Sequence, residues 1–306
     1  MDPRLRLRHI ACFLEIARAG SLVAAADRLA VTQPAVSKTL RELEDILGQW
    51  LFDRSGRGLR LNAAGRAFQQ FAGVGMAELE RAQNTVRGAH FGQSRLSLGA
   101  LPTAATELAP RAALAFHEAH PGCVLRVQTG PNWLLLSQLR EGTLDLVVGR
   151  MAEPDLMAGL SFEQLYLEDV VAVVRADHPL HGDVDADQLL TYPLILPPRG
   201  AVIRPTVRGF LTSIGAGDPA PMFETVSLAF GRRTLVGSDA IWFISRGVVS
   251  DELGNGRLRT LKMKAPILAG PVGISQREDA QPMIERKTLT DCLRAVAASD
   301  LHQVTN

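Results

Sequence analysis

Apolar residues recur along the chain at two periods, and the change of period divides it into regions. From residue 3 to 62 the spacing is helical. Leu7, Ile10, Phe13, Leu14 and Ile16 fall on one face of a first helix, which Gly20 ends and after which Ser21 caps a second. The second helix, Leu22 to Leu29, carries Ala24, Ala25 and Ala26, small side chains that let two helices cross closely. A short turn at Ala30-Val31 follows. Thr32 then caps a third helix with Pro34 in its first turn, where the missing N–H does no harm. Val36, Leu40, Leu43 and Leu47 form its buried stripe, and Gln33, Ser37, Lys38 and Arg41 its other face. Beyond Gly48, Trp50 to Arg54 and Leu59 to Leu61 predict two short strands around a Gly-rich tip bearing Arg57. That is the outline of a winged helix-turn-helix.

Residues 63 to about 91 form one long helical pattern without proline. Phe68, Phe71, Ala72, Leu79 and Val86 recur at three- and four-residue intervals. Such a stripe suits either pairing with a second copy or packing on its own subunit. Gly73 and Gly75 each weaken a helix by ~1 kcal/mol relative to Ala, which favours support from a partner.

After residue 94 the period changes again. Arg95 to Leu101 reads as a strand, followed by Pro102 and a helix capped by Thr103. Cys123 to Gln128 is a second strand, with a helix from near Asn132, and Leu144 to Val148 a third, ending in Gly149-Arg150. A second subdomain is expected from near Ser161. Its strands are Asp169 to Val174, Leu194 to Leu196 and Met222 to Val226, the last two running into helix starts near Gly200 to Ile203 and near Ser227. Strand-helix alternation predicts parallel sheets, which bind ligands beyond the carboxyl ends of their strands. Thr103, Gly130, Asn132 and Arg150 fall at such ends. Helix N-termini offer N–H groups to an anion, and Arg150 offers a fixed fork for a carboxylate. A surface or interdomain salt bridge is the competing reading of Arg150, and helix capping that of Thr103 and Ser227. Arg199 and Arg204 are further cations without a predicted place. Met283 to Ala298 predicts a final amphipathic helix.

Composition narrows the function. The chain has 306 residues, enough for two domains, and a net charge of only +1. A nucleic-acid interface must therefore be local. Residues 1–62 hold ten Lys/Arg against seven Asp/Glu, a local excess of +3. Three cysteines, Cys12, Cys123 and Cys292, are widely spaced without CxxC, as expected of reduced thiols rather than a disulfide frame or zinc site. MDPRLRLRHI lacks a signal-peptide core, and no run approaches the ~18 apolar residues of a membrane helix, so a soluble cytoplasmic protein is expected. No GxSxG, P-loop, GxGxxG after a strand, or HExxH is found, which argues against an enzyme. His117 and His120 lie at i, i+3 but read as a surface pair rather than metal ligands, and no cofactor is expected.

The stretch SLVAAADRLAVTQPAVSKTLRELEDILGQWLFDRSGRGLRLNAAG resembles the N-terminus of LysR-type transcriptional regulators. LGALPT, TLDLVVGRM, ADHPL and GPVGI stand where that family's effector domain places such segments. The resemblance is closer still to the members that control protocatechuate degradation, through GALPT, DLVVGRMAEP, SFEQLY and ETVSLAFGRRTLVGSDAIWFISRGVV. Regulators tied to sugar uptake share part of this pattern.

The resemblance implies an α/β chain with a mostly α winged helix-turn-helix at 1–62 and a linker and dimerisation helix at 63–91. A periplasmic-binding-protein-like effector domain follows at 92–306. Its first subdomain spans about 92–160 and 266–306, its second about 161–265. The DNA-facing set expected from motif and helix face together is Ser21, Thr32, Gln33, Pro34, Ala35, Ser37, Lys38, Arg41, Arg54, Arg57 and Arg60. The effector-facing set is Thr103, Gly130, Asn132, Arg150, Gly200, Ile203, Thr225 and Ser227. The partners implied are dyad-symmetric double-stranded DNA, a small carboxylate such as carboxymuconate, and further copies of the chain in a tetramer built as a dimer of dimers. RNA polymerase is left open, and no membrane partner is expected. The function implied is activation of aromatic-catabolic genes. Control of a sugar-uptake or other catabolic operon by a different effector, or a solute-binding protein without DNA function, are the alternatives.

Overall fold

The computed structural model describes residues 2–53, 59–88, 94–263, 267 and 269–303. It divides into two compact units, residues 1–92 with 140–143, and 93–139 with 144–306.

The first unit opens with α1 (Leu7–Ala19), α2 (Leu22–Leu29) and α3 (Gln33–Leu47). Gly20 and Gly48 end α1 and α3 in the left-handed conformation that a β-carbon disfavours. Phe13, Ile16, Ala25, Val36, Leu40 and Leu43 meet in the core, while Leu7 is exposed at the start of α1. Ser21 and Thr32 occupy the N-cap positions of α2 and α3, but neither side chain makes the capping hydrogen bond expected of it. The turn after α3 is pinned instead by Glu44, a buried carboxylate that accepts the Leu51 N–H at 2.9 Å. The strands β1 (Phe52–Asp53) and β2 (Arg60–Leu61) pair antiparallel as a wing. Its expected tip residues Arg54 and Arg57 lie outside the described residues. Asn62 then starts the long α4 (Ala63–Gly88), accepting the Gly65 N–H at 2.8 Å and donating to the Trp50 carbonyl at 2.7 Å.

The apolar stripe of α4 is divided between two surroundings. Phe68 packs edge-on against Phe13 and Ala72 is buried, whereas Phe71, Leu79 and Val86 are exposed.

The second unit holds two five-stranded sheets. Its first half runs β3 (Ser94–Ala100), α5 (Pro102–Ala105), α6 (Leu108–Ala119), β4 (Cys123–Thr129), α7 (Asn132–Arg140), β5 (Leu146–Arg150) and β6 (Leu160–Glu168). The chain continues through β7 (Val170–Arg175), β8 (Asp183–Val184), α8 (Ala186–Leu190), β9 (Leu194–Leu196), α9 (Arg204–Ser213), β10 (Phe223–Glu224), α10 (Leu228–Val236), β11 (Ile241–Ser245), α11 (Ser250–Gly254), β12 (Leu258–Thr260) and β13 (Lys262–Met263). It returns by β14 (Gly270–Arg277) to end in α12 (Ile284–Gln303).

The strand orders are β4-β3-β5-β14-β6 and β10-β9-β11-β7-β12. Each sheet has three parallel strands followed by two antiparallel ones, so one plan is used twice. The central strands β5 and β11 are buried along their whole length, as continuous apolar runs covered on both faces must be. Helices α6 and α12 cover one face of the first sheet, and Leu135, Leu136 and Leu139 of α7 cover the other. Trp242 fills the core of the second half and donates its indole N–H to the Thr225 carbonyl at 3.3 Å.

The passage between the sheets departs from the sequence expectation. Residues 160–168 form β6 and pair with β14 in the first sheet, so the second sheet begins after Glu168 rather than near Ser161. The apolar run up to Glu168 reads locally like the strand that follows it, but its partner lies about a hundred residues later.

Candidate functional site

Two places gather the residues singled out in the sequence. The first is the outer face of α3. Its buried stripe leaves Gln33, Pro34, Ser37, Lys38 and Arg41 along a groove of about 470 Å³. Thr32, Gln33, Pro34, Ala35, Lys38 and Arg41 are exposed, and Ser21 and Ser37 half-buried. Arg60 is exposed on β2. Two acids missing from the sequence reading, Glu42 and Asp45, share the groove. Glu42 receives Arg8 at 3.5 Å and His9 Nε2 at 3.3 Å, with Lys38 at 4.0 Å. The i, i+4 spacing of Lys38 and Glu42 was the available signal. Arg41 has no ion-pair partner among the described residues, so its charge remains open to an incoming phosphate or guanine.

The second place is a cavity of about 510 Å³ in the second unit, at the carboxyl ends of the parallel strands of both sheets. It brings together all eight residues of the expected effector-facing set. Gly130 follows β4, Gly200 follows β9 and Thr225 follows β10. Asn132, Ile203 and Ser227 stand at the starts of α7, α9 and α10. Three helices of nine or ten residues thus begin at the wall, with their free N–H ends there.

The expected caps differ from those observed in this region. Thr103 lies inside α5, whose N-cap is Leu101, because Pro102 already occupies the first helical position. Ser227 is the N-cap residue of α10 but makes no side-chain cap bond; its own N–H donates to Thr225 Oγ1 at 2.9 Å.

Arg150 ends β5 and is 5% exposed. Its Nη2 donates to the Glu168 carbonyl at 3.1 Å, the Glu168 carboxylate at 3.4 Å and the Ser245 hydroxyl at 3.1 Å. Arg150 lines the cavity and is also ion-paired to Glu168, but that pair is buried and joins two strands of the first sheet, so it is neither the surface nor the interdomain bridge of the competing reading. A β-carbon on Gly270 would run into Arg150 Nη1, and the guanidinium would have to shift to admit it. Burial lowers the pKa of Arg150, opposed chiefly by Glu168. Burial also pushes the Glu168 carboxyl up to about 7, opposed by Arg150, the Gly247 N–H and the Ser245 hydroxyl.

The Nε of Arg150 and the Nδ2 of Asn132 are buried without hydrogen-bond partners among the described residues. Two unmet donors in one wall cost free energy that an acceptor in the cavity would recover. Leu101, Pro131, Trp133, Val202 and Ile244 give the remainder of the lining an apolar character. Of the two unplaced cations, Arg199 lines the cavity, whereas Arg204 is taken up by Glu224 at 2.5 Å and the Pro197 carbonyl at 2.6 Å. The arrangement suits a small anion with an unsaturated or apolar body. His120 bonds to Thr288 Oγ1 at 3.0 Å and stacks on Phe116, away from any such role.

Known proteins share this organisation. Residues 7–66 match the bacterial regulatory helix-turn-helix proteins of the lysR family, and residues 90–298 match the LysR substrate binding domain. The chain is similar to the HTH-type transcriptional regulator PcaQ of Agrobacterium fabrum, 44% identical over 301 residues, 97% of this chain and 96% of that protein. It is also similar to the HTH-type transcriptional regulator YdcI of Escherichia coli, 35% identical over 284 residues, 91% of this chain and 92% of that one. Among solved structures, full-length OxyR of Pseudomonas aeruginosa matches 94% of this chain and 97% of its own, with TM-score 0.60 and 25% identity. Full-length CbnR complexed with its target DNA matches 95% and 100%, with TM-score 0.59; at 21% identity that likeness is one of fold.

Proposed function

The chain belongs to the LysR-type transcriptional regulators, which bind DNA and respond to a small molecule rather than catalyse a reaction, and from that premise we propose that it controls genes of protocatechuate breakdown in response to carboxymuconate or a close relative. The cavity carries this reading: a buried arginine, unmet N–H donors and three helix starts surround an otherwise apolar space. A dicarboxylate or tricarboxylate with an unsaturated carbon body satisfies each of these features. The 44% identity to PcaQ over nearly the whole chain supports the same pathway.

On the DNA side, Gln33 and Ser37 read base edges. Lys38, Arg41 and Arg60 supply phosphate or guanine contacts, and Thr32 places a helix start by the backbone. Arg54 and Arg57, on the sequence expectation alone, extend that contact. The exposed Phe71, Leu79 and Val86 of α4 serve to pair two chains, which sets two reading helices about one DNA turn apart. The family's tetramer and its contact with RNA polymerase follow from the same reading.

Calorimetric titration of the full-length protein with carboxymuconate, protocatechuate and galactose tests the effector. Saturable binding of carboxymuconate alone is the expected result. Binding of the sugar and not the carboxylate would transfer the protein to a different catabolic operon.

A further inference from the structure

Glu168 is the last residue of β6, where the chain leaves the first sheet for the second. Its side chain is 7% exposed. It accepts the Gly247 N–H at 2.9 Å, an approach so close that a β-carbon on Gly247 would run into the carboxylate. It also accepts Arg150 Nη2, which in turn reaches Ser245 at the end of β11. One guanidinium therefore ties a strand of the first sheet, the crossover and a strand of the second sheet.

An anion that comes to Arg150 places a second negative charge on a cation Glu168 already uses. Two carboxylates sharing one buried guanidinium are held apart from full ionisation by their mutual repulsion. We propose that the cavity takes up its anionic effector together with one proton, which passes from solvent to the carboxylate of Glu168 and releases Arg150 to the effector. Protonation forms an O–H bond on Glu168 and cancels its charge, so the proton offsets the one effector carboxylate that Arg150 takes up. At the same moment Nη2 exchanges the Glu168 carboxylate for the effector, while its bonds to the Glu168 carbonyl and to Ser245 of the second sheet remain. This inference rests on the reading of the cavity as the effector site.

The surroundings of Glu168 suit such a switch. The charge of Arg150 on β5 and the donors of Ser245 and Gly247 favour its ionised form, while neighbouring Asp169 and burial oppose it. Tyr166 on β6 and Asp169 also act on Arg150. With its titration near 7, the carboxyl stands close to half-protonated at neutral pH, and one more negative charge nearby completes the change.

The test is calorimetry of carboxymuconate binding to the full-length protein from pH 6 to 8.5, in buffers of different ionisation heat. The ligand's carboxylates, titrating near pH 4 like other carboxylic acids, stay ionised throughout. Affinity is expected to be flat below about pH 7 and to fall towards tenfold per pH unit above it, with uptake approaching one proton per site. Glu168→Gln should lose both the slope and the proton uptake. A wild-type affinity independent of pH, or an unchanged slope in Glu168→Gln, overturns the proposal. A second measurement needs no ligand: carboxyl-carbon NMR should show one glutamate titrating near neutrality in the wild type and at higher pH in Arg150→Met. No such resonance, or one that does not move, also overturns it. If carboxymuconate binds at no pH, the effector assignment fails, and the Arg150→Met titration alone decides whether the two groups are linked.

Discussion

Replacing Arg150 with Met leaves Glu168 buried without its cation, and the cost has a part that depends on pH and a part that does not. The constant part is a difference of opposing effects. The Ser245 hydroxyl and the Glu168 carbonyl lose a donor, at about 1–3 kcal/mol each if left unsatisfied. Against this, a guanidinium no longer has to be desolvated, which returns several kcal/mol. The pH-dependent part is sharper. Glu168 has a folded-state pKa raised from 4.5 to about 7, so its contribution to stability is full below 4.5 and is lost as pH rises to about 7. In the wild type the loss stops there, because the folded protein then ionises as well. Without Arg150 the carboxyl stays protonated to higher pH, and each further unit removes about 1.4 kcal/mol. Urea unfolding followed by tryptophan fluorescence, to which buried Trp242 contributes, gives the comparison. Wild type and variant should run parallel from pH 5.5 to 7 and diverge by roughly 2 kcal/mol at pH 8.5. The double variant Arg150→Met/Glu168→Gln should remove the divergence. Parallel curves to pH 8.5, or a divergence that survives in the double variant, would refute the coupling of these two residues.

Other outcomes follow from single contacts. Gly270→Ala pushes a β-carbon into Arg150 Nη1 and should weaken carboxymuconate binding at least tenfold in a calorimetric titration, with the chain still folded. Asn62→Ala removes the bond that starts α4 and the one to the Trp50 carbonyl, and should lower stability by about 1 kcal/mol, read as a drop of a few degrees in thermal melting. Arg41→Ala should weaken DNA binding evenly across sequences and reduce the slope of log affinity against log salt by about 1, whereas Gln33→Ala should relax preference at one base step; anisotropy titrations over several salt concentrations and operator variants separate the two.

The helical N-terminal unit is readable because its information is local. A buried stripe on α3, a glycine after each of α1 and α3 and a proline at a helix start specify three helices within a few residues of each other. The strand ends were readable for the same reason, and all eight residues placed there line one cavity. Three things are not set by the local pattern of residue types. The pairing of β6 with β14 joins segments about a hundred residues apart, so neither the end of the first sheet's run at Glu168 nor the pairing of Glu168 with Arg150 is legible in the local pattern around Ser161. Capping depends on side-chain rotamers, and Ser21, Thr32 and Ser227 hold cap positions without cap bonds. The stripe on α4 mixes Phe68, which packs into the core of its own unit, and buried Ala72 with exposed Phe71, Leu79 and Val86, and periodicity alone has no means of separating them.

The central claim is that an anion held at Arg150 alters how this regulator occupies DNA. DNase footprinting of the DNA upstream of its own gene, with and without carboxymuconate, tests it on the full-length wild type and on Arg150→Met side by side. The account predicts a dyad-symmetric footprint from both proteins without ligand, and a change of footprint on adding carboxymuconate that only the wild type shows. The same change in both proteins would contradict it.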